Sequence, residues 1–346
     1  MNISLKTALV GAMAFGVTAG AAMAQDVTLR FQHFLGPKSD MQVNFMEPWA
    51  DAILEQSGGR LKIEIYPAMQ LGGKPPSLYD QIRDGVIDGG WAIPAYTPGR
   101  FPETEAFELP FMTARSAEAS SRAAWSYTAK WAMERFGDVH LIAAHVHGPG
   151  VVHVQGDPVV NVSDFAGLKL RGPSRQANKL LEAVGAIPVG MPVPAFPEAL
   201  SKGVVDGGVI PWQVVPGLKV NELAKGHTEI GSDHSLYNTY FIWAMNKDAY
   251  AALPDDLKAV IDANTGIEPS GMAGRAMDIG DEKGLAATQA TEGTQIVQMA
   301  DDQVEQLRTI GADLTQAWIA EMDSKGLDGA AMAADAQAMI AAEAGN

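Results

Sequence analysis

Arg171 is the residue with the most direct chemical meaning in this chain. It closes a short strand-like segment, Leu168-Lys169-Leu170-Arg171, and Gly172-Pro173 follows at once. A side chain that leaves the carboxyl end of a strand enters the crevice where open α/β sheets gather ligands. A guanidinium in that place can grip a carboxylate through two parallel N–H···O bonds. The competing role is a surface Arg paired with one of the many acids. A second group is His140, His145, His147 and His153, spread over two neighbouring strand-like segments and the turn between them. A metal site can use such residues. Side chains alternate along a strand, however, so His145 and His147 share one face while His140 lies on the other. With no Asp/Glu pattern nearby, the histidines read as structural or pocket-lining, and neither a metal nor a cofactor is expected.

Composition narrows the chemistry further. The chain has 346 residues and no Cys, which excludes disulfides, thiol catalysis and Cys-ligated metals. No G-x-S-x-G elbow, H-E-x-x-H helix, Walker loop or well-placed G-x-G-x-x-G is present. The formal net charge of -16 repels phosphate backbones, so a nucleic-acid partner is not expected. Any anion site in such a field must be built locally, from particular Arg residues or backbone N–H groups.

The elements that must position Arg171 alternate between strand and helix. Val27 to Phe34 has period two and β-favouring residues, and Gly36-Pro37 breaks it. Asp40 to Ser57 reads as a helix ended by Gly58-Gly59. Leu61 to Tyr66 is a second strand, a helix follows Ser77, and Val86 to Ile93 is a third strand. This β-α-β-α-β order predicts a mostly parallel sheet with helices packed on it. Ser116 to Phe136 reads as a long helix, Val139 to Val146 and Val151 to Val154 as strands, and Ser174 to Val184 as a helix. Four prolines make Val189 to Pro197 an extended, stiff loop. Val204 to Ile210 and the aromatic-rich Ser235 to Met245 read as strands, and Asp255 to Ala342 as almost all helix. One local echo stands out: Asp84-Gly85-Val86-Ile87-Asp88-Gly89-Gly90 resembles Lys202-Gly203-Val204-Val205-Asp206-Gly207-Gly208. Two such units, far apart in one chain, predict two similarly built lobes.

The first 24 residues read as a cleaved secretory signal. Lys6 supplies a positive start, residues 8–22 are apolar and small, and Ala22-Met23-Ala24 fits the cleavage pattern with Gln25 as the first mature residue. The expected compartment is the periplasm.

Together the segments resemble the extracytoplasmic solute-binding subunits of tripartite ATP-independent periplasmic (TRAP) transporters. The resemblance runs from about Val27 to the late helices. It is carried by Tyr66-Pro67 with Gln70-Leu71-Gly72, Gly85-Val86-Ile87-Asp88, Glu108-Leu109-Pro110-Phe111, Asp164 to Arg171, Ala199 to Gly207, and Asn246-Lys247 before Leu253-Pro254. The resemblance implies an α/β fold of the two-lobed periplasmic-binding-protein kind. Mixed sheets are flanked by helices, a long helix bridges the lobes, and the ligand sits in the interlobe cleft. The expected division is residues 25–149 with about 237–270 for one lobe, and 150–236 with about 271–305, bridging helix included, for the other. Residues 306–346 would be C-terminal helices. The implied function is capture of a small organic acid and its delivery to the membrane subunits of a TRAP permease, by a monomer or alternatively a homodimer. A periplasmic enzyme acting on small acids or esters, and a ligand-sensing subunit of a membrane receptor, are the alternatives.

Arg171 falls on the family's carboxylate-binding arginine. Departures from the family pattern then speak to the ligand. Many acid-binding relatives read Asp-Gly-Gln-Glu-Asn-Pro where this chain has Asp206-Gly207-Gly208-Val209-Ile210-Pro211, so Ile210 replaces an amide. Some carry a second Arg where this chain has Val151-Val152. Phe34, Ile93 and Tyr96 fall on cleft positions that are polar or charged in binders of sugar acids, and Trp212 follows Pro211. Val193 is also expected at the cleft, and His147 and Tyr240 are expected to donate to a second ligand oxygen. A hydroxylated sugar acid on such a wall would leave groups unsatisfied at a cost of ~1–3 kcal/mol each. The expected ligand is therefore a monocarboxylate with an apolar or aromatic body.

Overall fold

The computed structural model describes residues 27–345; the expected signal segment and its Gln25 boundary lie outside the described residues. In chain order the strands are β1 (Val27–Gln32), β2 (Leu61–Tyr66), β3 (Gly89–Ala92), β4 (Val139–Val146), β5 (Gly150–Val154), β6 (Lys169–Gly172), β7 (Ile187–Gly190), β8 (Gly207–Pro211), β9 (Gly226–Glu229), β10 (Tyr240–Asn246) and β11 (Gln295–Gln298). They form two sheets, ordered β2-β1-β3-β10-β4 and β11-β9-β5-β8-β6-β7. Each has a parallel triplet with antiparallel strands at its flank. In the first, β1 runs parallel to β2 and β3 while β10 is antiparallel to β3 and β4. In the second, β6 runs parallel to β7 and β8 while β5 is antiparallel to β8 and β9. The sheets are therefore mixed where β-α-β order alone predicts mostly parallel pairing. The antiparallel strands β5 and β10 belong to two crossings between the sheets, from β4 to β5 and from β9 to β10.

The sequence echo occupies equivalent places in the two sheets. Gly85 (φ 69°) and Gly203 (φ 67°) end the preceding helices in the left-handed region, and the next two N–H groups bond back to Gln81 O and Ala199 O. This closure satisfies helix-end carbonyls. It also delays the strands, which start at Gly89 and Gly207 rather than at Val86 and Val204. Asp88 and Asp206 then brace the neighbouring strand, each accepting from its backbone: Arg30 N–H to Asp88 Oδ2 and Lys169 N–H to Asp206 Oδ2, both at 2.8 Å. Four other sequence readings shift at their ends. Residues 42–46 form a π-turn leading into the helix Glu47–Gln56. The helix read to Phe136 stops at Trp131. The proline-rich stretch is not simply extended, because β7 gives way to the helix Phe196–Ser201. The strand read from Ser235 starts at Tyr240, because Ser235 and Asn238 are tied to Thr113 instead of a ladder.

Two apolar cores follow the two sheets. The larger packs around Phe31, Phe45, Trp49, Trp243 and Tyr127. The smaller packs around Val152, Phe165, Leu180, Val209 and Leu307. Two long helices reach elements of both sheets' sides. Ile267–Gln289 lies on β4 and the helix Ala117–Trp131 with its first half, and against the turn Trp212–Val214 with its second. A Cβ on Gly284 would sit 2.0 Å from Trp212 O, so only glycine allows this approach. The helix Asp301–Ser324 begins in the smaller core at Val304 and Leu307 and ends in the larger at Trp318 and Met322. Among the described residues no helix is long and apolar enough to cross a membrane.

Candidate functional site

Strand alternation directs one face of each sheet into the space between them. On the second sheet Leu170 and Val209 point into the smaller core, which leaves Arg171 and Ile210 on the opposite face. On the first, Phe241 sits opposite His145, and Trp243 opposite Trp91, all on one face. The rings of Phe34, Trp91, Phe241 and His145 stack with planes within 10° of parallel and successive centroids 4.6 to 4.9 Å apart. Between the faces lies a small, narrow cavity. Phe34, Leu35, Trp91, Ile93, Tyr96, Thr239 and Phe241 line it from the first-sheet side. Arg171, Pro173, Val193, Ile210, Pro211, Gln213 and Val214 line it from the second, with His147 and Tyr237 on the two crossings.

Arg171 is 2% exposed. Its Nε–H donates to Met191 O and an Nη–H to Val209 O, both at 3.0 Å. Both acceptors belong to the polypeptide flanking β6, so the sheet itself fixes the plane of the guanidinium. Two of its five N–H groups are used in this way. Among the described residues no carboxylate lies within ion-pair distance of it. Burial draws its pKa down, opposed by the Tyr96 and Tyr237 hydroxyls beside it. A buried cation without a counter-charge is costly unless something negative arrives. Three further polar atoms at the cavity, Tyr237 Oη, His147 Nε2 and Gln213 Nε2, are buried and have no hydrogen-bond partner among the described residues. A Cβ at Gly150 would lie 2.0 Å from the Tyr237 ring, so that glycine lets the ring seat against β5. Tyr96 spans the cleft, its hydroxyl accepting from Val193 N–H at 3.0 Å.

Of the residues expected at the cleft, Arg171, Ile210, Phe34, Ile93, Tyr96, His147 and Val193 line this cavity; Trp212 and Tyr240 do not. Trp212 turns away, its indole N–H donating to Glu229 Oε1 at 2.9 Å and its ring edge-on to His153. Tyr240 precedes Phe241 on a strand, so it faces the helical layer instead, where its hydroxyl bonds Thr128 Oγ1. It cannot donate to a cleft ligand from there. The role expected of His147 also changes. Its Nδ1–H donates to Gly148 O at 2.6 Å, which leaves Nε2 as an acceptor. The remaining histidines serve elsewhere: His145 accepts from Trp91 Nε1–H at 2.7 Å, His153 pairs with His227 and Ile210 O, and His140 stacks on Tyr250. Val151 lies opposite Ile210 across the β5–β8 pair. Trp91, Tyr237, Thr239 and Phe241 escape the sequence reading. The register of β10 against β3 was the missing information, since a one-residue shift exchanges Phe241 for Tyr240.

Beside the cavity the two sides are tied by charge. Glu105, on the short helix Pro102–Glu108 of the first-sheet side, accepts from Arg175 Nε–H at 3.0 Å and from Gln176 Nε2–H at 2.7 Å. Arg175 and Gln176 begin the helix Arg175–Ala183 that follows β6. Arg175 also reaches Glu321 at 2.7 Å. The neighbouring Glu108 is buried with Oε2 unpartnered, and burial beside Glu105 holds its carboxyl up to about 8.

Comparison with known proteins agrees with this architecture. Residues 31–322 match the model of the family described as bacterial extracellular solute-binding protein, family 7. A TRAP solute-binding protein from Rhodoferax ferrireducens T118, solved with copurified benzoate, is 46% identical. The match covers 92% of this chain and 98% of that one, with a TM-score of 0.89. A marine metagenome TRAP solute-binding protein specific for aromatic acid ligands, solved with 3-hydroxybenzoate, is 42% identical over 92% and 99%, with a TM-score of 0.90. One from Bordetella bronchiseptica, solved with (R)- and (S)-mandelate, is 30% identical over 91% and 98%, with a TM-score of 0.84.

Proposed function

This chain belongs to the family 7 bacterial extracellular solute-binding proteins of TRAP transporters, and on that premise we propose that it captures an aromatic monocarboxylate for a TRAP-type permease. The observation that carries the reading is Arg171: a buried guanidinium with no acidic partner among the described residues, held by backbone carbonyls in an aromatic-lined cavity. A ligand carboxylate supplies the missing charge, and Tyr237 Oη is placed as a further donor. The stacked Phe34, Trp91 and Phe241 rings supply the wall for a flat apolar body, and aromatic contacts of this kind add about 0.5–1.5 kcal/mol beyond area burial. One cation permits one carboxylate. The second charge of a dicarboxylate would meet Ile93, Ile210 or Val193 without a partner. The bound acid joins the two faces of the cleft, as Tyr96 to Val193 already does.

The test is competition by calorimetry among benzoate, a branched aliphatic monocarboxylate, a C4 dicarboxylate and a sugar acid. Benzoate is expected to bind tightest. Tighter binding of the dicarboxylate or the sugar acid would refute the reading. The proposal extends to location: cleavage after Ala24 releases a periplasmic chain beginning at Gln25, which the intact mass of exported protein checks.

A further inference from the structure

Resting on that reading, we infer that His147 is a specificity-determining hydrogen-bond acceptor, and that the aromatic acid this cavity selects carries a hydroxyl whose proton is received by His147 Nε2. Two histidines on the same face show why. His145 directs Nδ1 to Val146 O at 3.3 Å, and its Nε2 accepts from the Trp91 indole N–H at 2.7 Å. His147, two residues on, directs Nδ1 to Gly148 O at 2.6 Å, but its Nε2 is buried with no partner. A backbone carbonyl can only accept, so Nδ1 carries the proton in both rings and Nε2 presents a lone pair. The protein fills that lone pair in His145 and leaves it bare in His147, which lines the cavity.

The ring has little freedom to change this. Asn238 clamps the His147 backbone from both sides, accepting from its N–H at 3.1 Å and donating to its carbonyl at 2.8 Å, while also donating to Thr113 Oγ1 at 2.9 Å. Tyr237 packs edge-on at 5.3 Å and Phe241 at 6.2 Å. Burial and the Arg171 charge hold the imidazole pKa near 4, so the ring is neutral at neutral pH. A carboxylate has no proton to offer a lone pair. Its partners here are donors, the Arg171 N–H groups and the Tyr237 O–H. A ligand with a carboxylate alone therefore leaves Nε2 orphaned, whereas an added hydroxyl fills it. Buried orphans of this kind weaken binding about ten- to a hundredfold relative to the filled case.

Calorimetry at pH 7.5 on the exported chain tests the assignment with matched acids: 2-, 3- and 4-hydroxybenzoate and mandelate, each against its O-methyl and its deoxy counterpart. At one hydroxyl position the hydroxy acid is expected to bind at least tenfold tighter than both counterparts. His147→Phe is expected to bring that ratio to within threefold. If all pairs bind alike in the wild type, the acceptor role is overturned and the capture of aromatic acids stands. If no aromatic acid binds at all, both fall. Uptake of about one proton per ligand, read from buffers of different ionisation enthalpy, would make His147 an imidazolium donor and overturn the acceptor role. Should His147→Phe not fold, the wild-type ratios decide, together with the ¹⁵N shift of Nε2, which moves upfield when a lone pair gains a hydrogen bond.

Discussion

Arg171→Met separates ligand recognition from folding, because the two effects differ greatly in size. In the free chain the guanidinium is buried, and among the described residues no carboxylate lies within ion-pair distance of it. Desolvation of such an ion costs several kcal/mol even after relaxation. Against this stand two bonds to Met191 O and Val209 O, each worth roughly 1.5–3 kcal/mol as hydrogen bonds to a charged group. The terms nearly cancel, and methionine fills much of the vacated volume. The free variant is expected to melt within a few degrees of the wild type. With ligand the balance is one-sided, because a buried carboxylate loses its only cation and binding weakens by about 2–5 kcal/mol. Thermal shift reads both at once. At a ligand concentration of 100 times the wild-type Kd, stabilisation is about 2.7 kcal/mol; a Kd raised a hundredfold reduces it to about 0.4 kcal/mol. For a chain of this size that takes a shift of roughly 4 °C down to about 0.6 °C. Arg171→Lys is expected to recover little, since an ammonium cannot reproduce the planar fork. A ligand-induced shift preserved in Arg171→Met would refute the carboxylate clamp. Collapse of the free variant would show instead that the two carbonyl bonds outweigh the buried charge.

Two further perturbations address stability and closure. Glu108 is held up to about 8 by burial, so the folded chain binds its proton more tightly than the unfolded chain does. That contribution is complete below the ordinary value of 4.5 and is lost as pH rises through 8. Glu108→Gln keeps an acceptor for Tyr240 N–H and is expected to flatten the fall of Tm between about pH 4.5 and 8; parallel Tm profiles for the two proteins would refute this. His33, His145 and His147 act at the acid end with the opposite sign. Burial lowers them to about 4, 3 and 4, so their contribution is present above 6.5 and disappears as pH falls through 4. Arg175→Ala removes one tie between the two sides of the cleft while Gln176 still holds Glu105. The pair is partly exposed and worth about 1 kcal/mol, so affinity is expected to drop about fivefold. The free chain is expected to show a larger radius of gyration in small-angle scattering, and an unchanged radius with unchanged affinity would refute the latch.

Local patterning by itself carried much of this molecule. Period-two runs, Gly-Pro breaks and helix caps place most elements within a few residues, because those signals depend on backbone sterics acting over three or four positions. The paired Gly-Val-Ile-Asp and Gly-Val-Val-Asp units announced two similar lobes, and each Asp braces its neighbouring strand in the same way. The place of Arg171 at the cavity was legible for the same reason: a strand end before Gly-Pro is a local fact. Tertiary structure decided what faces the cavity. Tyr240 and Phe241 are adjacent and both aromatic, yet the register of β10 against β3 and β4 sends one to Thr128 and the other into the cavity. Trp212 follows Pro211 at the cavity edge but spends its indole on Glu229, which stands on another strand. His145 and His147 share a face and a tautomer; only the position of Trp91, more than fifty residues away, leaves one lone pair filled and the other bare. Side-chain direction in a sheet flips with a single residue of register, and register is set by pairing between segments far apart in the chain, so no local window contains it.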